Sequence, residues 1–167
     1  MCAWARANGS QHVGFSGMSL GALTSQVAAG RMGAWPEEAR ADALMLLTTT
    51  DRVSSLALDS ALAVIAGLDV AAKAKGWRPA SYVPLAGIVD AASTPPIDPE
   101  RIVLLIGARD TVTPIDGGRR LAAKWRVPER NLFQRDQGHF SAAFGLGVDP
   151  SPFDRVVDAC AAPGGKT

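Results

Sequence analysis

The stretch Gly17-Met18-Ser19-Leu20-Gly21 decides how this chain is read, because it sits where a strand gives way to a helix. Residues 11–15 in front of it are strand-like, and residues 20–32 behind it carry helical periodicity. A serine on so sharp a strand-to-helix turn needs a strained backbone, and flanking glycines keep side chains from clashing there. The same turn puts the serine at a helix N-terminus, where the Leu20 backbone N–H can face a developing oxyanion. Many Gly- and Ser-rich turns match the five-residue pattern alone; the strand–turn–helix setting is what gives it weight.

Working outward, two apolar runs stand out. Ala43-Leu44-Met45-Leu46-Leu47 leads into Thr48-Thr49-Thr50, and Arg101-Ile102-Val103-Leu104-Leu105-Ile106 leads into Gly107. Both are continuous and bounded by polar punctuation, which suits parallel strands covered on both faces. Residues 131–135 form a weaker fourth strand. Helical patterns fill residues 52–75 (broken near Gly67), 114–125 and 153–161. The alternation predicts an α/β fold of about four mostly parallel strands with flanking helices and right-handed crossovers. Pro79, Pro84, Pro95 and Pro96 make residues 76–99 a loop or small cap region, an ordinary surface excursion as readily as a lid over substrate.

A length of 167 residues suits a single domain, taken as residues 1–162 with a tail at 163–167. The 47% hydrophobic and 20% charged fractions exclude global disorder. Lys and Arg total 17 against 16 Asp and Glu, a net charge of +1 with no long like-charge block, so no nucleic acid or anionic membrane is expected as partner. Cys2 and Cys160 lie near opposite ends with no metal or disulfide spacing, which predicts free thiols and a reducing compartment. Residues 53–72 are the most apolar long stretch, but Asp59 and Asp69 argue for a packed helix over a membrane span. No basic region followed by an unbroken apolar segment opens the chain, and a cytoplasmic location is the expectation.

Two further elements join Ser19. Gly107-Ala108-Arg109-Asp110 follows the strand at 101–106, and an aspartate there stands on the edge where α/β sheets form ligand sites. A helix-capping or solvated loop aspartate is its plainer role. Gln137-Gly138-His139-Phe140-Ser141 follows the weak strand, and a loop histidine with a structural hydrogen bond is the plainer reading of His139. His12, the other histidine, opens a strand and reads as structural. Asp90, Asp116 and Asp136 are rival acids, less well placed than Asp110. Trp35, Trp77 and Trp125 fit packing better than an acyl pocket.

Ser19, Asp110 and His139 come in that order, each at the carboxyl end of a predicted strand. In this the chain resembles the α/β-hydrolase superfamily over nearly its whole length. The resemblance implies that Ser19 is the nucleophile, His139 the general base, Asp110 the residue that orients and stabilises the imidazole, and the Leu20 N–H an oxyanion donor. It implies acyl transfer from an ester or thioester to water through a serine-bound acyl-enzyme, with a small-molecule acyl substrate and neither metal nor organic cofactor. In the full fold other strands precede the nucleophile, so the chain reads as a carboxy-terminal portion of such a domain. The strand near Val13 is then expected to be an exposed edge, open to self-association or to a missing N-terminal half. An oxyanion hole with one donor would cost about 10²–10³ in rate, so the alternative is a silent remnant or a subunit needing that half. The tail Asp158-Ala159-Cys160-Ala161-Ala162-Pro163-Gly164-Gly165-Lys166-Thr167 resembles the first motif of the Sun-family RNA cytosine-5 methyltransferases. The rest of a nucleotide-binding domain is absent, and a helix ending in a Pro-Gly-Gly tail is the plainer reading.

Overall fold

The computed structural model describes residues 1–52, 67–76, 94–144 and 156–158. In chain order these contain α1 (Cys2–Ala7), β1 (Gly14–Met18), α2 (Leu20–Arg31), β2 (Ala43–Leu47), α3 (Leu68–Ala74), β3 (Ile102–Gly107), α4 (Ile115–Trp125), β4 (Leu132–Arg135), α5 (His139–Phe144) and β5 (Val156–Asp158). The strands form one sheet in the order β4-β3-β2-β1-β5. Every pairing is parallel, with Met18 beside Leu47, Leu47 beside Leu105, and Gly107 beside Arg135. The carboxyl ends of β1 to β4 therefore share one edge, and the functional candidates all follow those ends.

The apolar runs behave as their continuity predicts. All five residues of β2 are buried. Leu44, Leu46, Ile102 and Leu104 face a core built with Ala22 and Ala29 of α2, Met32 just beyond it, and Leu121, Ala122 and Trp125 of α4. Met45, Leu47 and Leu105 face the opposite way, against Ala142 of α5. A strand with both faces covered has no use for alternating polar residues, which is why β2 and β3 read as unbroken apolar runs. Trp125 is 1% exposed within this core, so it packs the fold and lines no acyl pocket. Trp35 packs against the same core from a half-buried position, and Trp77 lies outside the described residues.

Two elements differ from expectation. The first strand spans Gly14–Met18, not residues 11–15. Its sequence, Gly-Phe-Ser-Gly-Met, is a poor strand former by composition, and pairing along both sides overrides that preference. Residues 156–158, expected inside a helix over 153–161, are strand β5. They pair with β1 from Gly14↔Val156 to Ser16↔Asp158, so the expected bare edge at β1 is covered along those residues. The sheet thus has five described strands where about four were expected. Most of the helix expected at 52–75 lies outside the described residues. Gly67 takes φ +64° just before α3. The loop or cap at 76–99 is described only at 76 and 94–99, and Asp90, Cys160 and the 163–167 tail lie outside the description. Among the described residues no helix is long and apolar enough to cross a membrane.

Candidate active site

Ser19 occupies the turn between β1 and α2 with φ +54° and ψ −116°, a conformation rarely taken by a residue with a side chain. Its N–H donates to the Leu47 carbonyl at 3.0 Å, tying the turn to the end of β2. The turn closes tightly because a Cβ on Gly17 would stand 2.3 Å from the Gly21 carbonyl oxygen. Only glycine at 17 lets α2 start so close to β1. Serine is a favoured helix N-cap, where its hydroxyl normally accepts from the first turn. Here Ser19 makes no such side-chain bond, and its Oγ lies 2.8 Å from His139 Nε2 instead.

His139 opens α5 immediately after the turn that follows β4, with its side chain 5% exposed. Its Nδ1 lies 2.8 Å from Asp110 Oδ2. A carboxylate only accepts, so Nδ1 carries the proton and donates. The neutral ring then presents Nε2 as acceptor to the Ser19 hydroxyl.

Asp110 sits three residues past β3 with its side chain fully buried. Both of its oxygens are used. Oδ1 accepts the backbone N–H groups of Val112 and Thr113, each at 2.8 Å, and Oδ2 accepts the Thr113 hydroxyl at 2.5 Å as well as His139. Burial by itself raises the Asp110 carboxyl, but the hydrogen bonds from His139 and from the Thr113 side chain and backbone outweigh it and hold the group below its ordinary range. Asp110 is therefore a charged acceptor at neutral pH, and it combines the loop-capping role with a contact to the histidine.

The acid and histidine loops are stitched together. Ala108 N–H donates to the Arg135 carbonyl at 2.7 Å, and Arg109 N–H donates to the Gln137 carbonyl at 3.1 Å. A Cβ on Gly107 would meet that Gln137 oxygen at 2.6 Å, so glycine permits the approach. Asp136, one of the rival acids, takes no part in the histidine contact. Both of its oxygens accept from the Arg109 guanidinium, at 2.7 and 2.5 Å. Asp116 is 73% exposed beside Arg119. His12 lies exposed ahead of β1, at the opposite edge of the sheet.

Some features around the site had no assigned role in the sequence reading. Thr113 is 3% exposed and clamps Asp110; the signal was a hydroxyl three residues beyond an aspartate, a common capping spacing. Arg109 and Asp136 form the exposed strap just described. Thr48, at the exit of β2, takes φ +46°, is 1% exposed and leaves its hydroxyl without a hydrogen-bond partner. A cavity of about 680 Å³ opens at the amino-terminal edge, lined in part by Arg6, Arg40, Asp42 and Arg101, with no member of the Ser19 cluster in its wall.

Fold and edge together give a parallel α/β sheet with a serine, a histidine and an aspartate hydrogen-bonded in series beyond the carboxyl ends of its strands. A solved structure of similar fold, the acylaminoacyl peptidase of Pyrococcus horikoshii in an orthorhombic crystal form, superposes with a TM-score of 0.53 at 12% identity. The match covers 81% of this chain and 21% of the peptidase, so the chain spans about a fifth of that protein's length. The likeness is one of fold. No protein-family model matches the sequence, and no curated protein does.

Proposed function

We propose that the chain is a serine hydrolase of the α/β-hydrolase type that transfers an acyl group from an ester or thioester to water. The observation that carries this is the unbroken series Ser19–His139–Asp110, two contacts of 2.8 Å drawn from three different strand ends. Structural roles alone would not need a serine in a strained turn to give up its capping bond and face a buried imidazole.

In the reaction, Ser19 Oγ attacks the substrate carbonyl carbon while His139 Nε2 takes the hydroxyl proton. Asp110 holds the Nδ1 proton and stabilises the imidazolium that forms. The Leu20 backbone N–H, at the start of α2, donates to the oxyanion of the tetrahedral intermediate. Collapse expels the leaving alkoxide or thiolate, which takes the proton from His139 and leaves an acyl-serine. Water then attacks that ester with His139 again as base, releasing the carboxylic acid and restoring Ser19.

Labelling by a fluorophosphonate tests the reading, because such probes phosphonylate only an activated serine. Labelling of the folded chain that vanishes in Ser19→Ala is the expected result. A folded chain that resists the probe would overturn the reading for this chain by itself and turn attention to a further polypeptide.

A further inference from the structure

Large apolar side chains are mostly buried here, and the exposed ones are informative. Six stand out among the described residues, and two of them, Leu20 and Phe140, are the immediate successors of Ser19 and His139. Leu20 is 74% exposed and Phe140 56% exposed. The Phe140 ring stands nearly perpendicular to the imidazole, 86° between planes with centroids 5.1 Å apart, so it is held beside the base. Isolated exposed apolar residues are ordinary on protein surfaces. Here two of them directly follow the two partners of one Ser–His hydrogen bond, on separate loops, so both stand exposed beside the nucleophile and its base. The nearby charges offer no competing selection, because Arg109 and Asp136 are joined to each other by two hydrogen bonds.

We propose that Leu20 and Phe140 are specificity-determining residues and that the substrate carries an extended aliphatic acyl group. The inference rests on the serine-hydrolase reading and narrows its substrate class. Short acyl groups leave these two side chains in water, whereas each added methylene that lies along them removes apolar surface from solvent.

The experiment compares p-nitrophenyl acetate, butyrate and octanoate, all below their aggregation concentrations, so that only the acyl group changes. In the wild-type chain kcat/KM is expected to rise about tenfold or more from acetate to octanoate. In Phe140→Ser and in Leu20→Ser, which keeps the backbone N–H, the octanoate-to-acetate ratio falls by about threefold or more. The ratio within each protein cancels any general loss of competence, and a thermal unfolding midpoint shows that each variant is folded. Turnover that depends on Ser19 but is flat or falling with chain length overturns the acyl-chain proposal and leaves the hydrolase reading standing. So does a ratio that neither substitution changes. Turnover of none of the esters beyond that of Ser19→Ala overturns both.

Discussion

Two buried threonines show how the same side chain can work in opposite directions. The Thr113 hydroxyl donates to a charged carboxylate, whereas the Thr48 hydroxyl has no partner. Valine matches threonine in shape, so Thr113→Val removes a charge-assisted bond and should destabilise the fold by about 1.5–3 kcal/mol. Thr48→Val removes only an unsatisfied polar atom and should be neutral or stabilising by about 1 kcal/mol. Urea unfolding of the two variants checks the difference in sign. Asp110→Asn cannot accept in the same way or stabilise an imidazolium, and should slow fluorophosphonate labelling by about 10³–10⁴. Its pH behaviour follows from the depressed carboxyl. That stabilisation is complete above the ordinary aspartate value of 3.8 and is lost as pH falls through the lower folded-state value. The stability gap between wild type and Asp110→Asn should therefore close on acidification through that window, as read by thermal unfolding at stepped pH.

At the scale of elements, legibility followed the strength of the local pattern. The run at β2 was read at its true bounds and β3 within one residue, because strands covered on both faces leave an apolar signature independent of their neighbours. Strand β1 was placed three residues early at each end, since its glycines and serine carry no strand signal and only the partners at Ala43–Leu47 and Val156–Asp158 make it one. Strand β5 falls inside an expected helix for a different reason: three residues are too few to show a period. The serine turn was legible because its glycines are dictated by packing. Gly17→Ala would push a methyl into the Gly21 carbonyl and should cost about 1–3 kcal/mol while displacing Ser19. Reduced labelling together with a lowered unfolding midpoint is the outcome that checks it. The Arg109–Asp136 strap is exposed at both ends, so Arg109→Ala should leave the unfolding midpoint close to wild type.

Across the whole molecule, the order of Ser19, Asp110 and His139 beyond the ends of β1, β3 and β4 was readable because chain order and sheet edge are both fixed by a parallel topology. What surrounds them was less readable. Thr113 looked like an ordinary loop residue, and the covering of β1 by β5 joins the two ends of the described chain, a pairing that no local pattern announces. That covering has a consequence for association. Placing proline at both Val156 and Val157 removes two of the three backbone N–H groups of β5 and weakens its hold on β1, and the doubly substituted chain should associate with rising concentration. Light scattering across a dilution series checks this.

The hydrogen bond between Ser19 and His139 joins residues 120 positions apart. None of the strand pairs among β1 to β4 is local, so each must close a long loop before it gains any contact, which makes this a slow topology to assemble. The serine can meet its base only after all four strands have found their register. Reactivity at Ser19 is therefore a clock for the last stage of folding. During refolding, helical signal should return first, and the capacity to be labelled should lag behind it until the histidine loop docks.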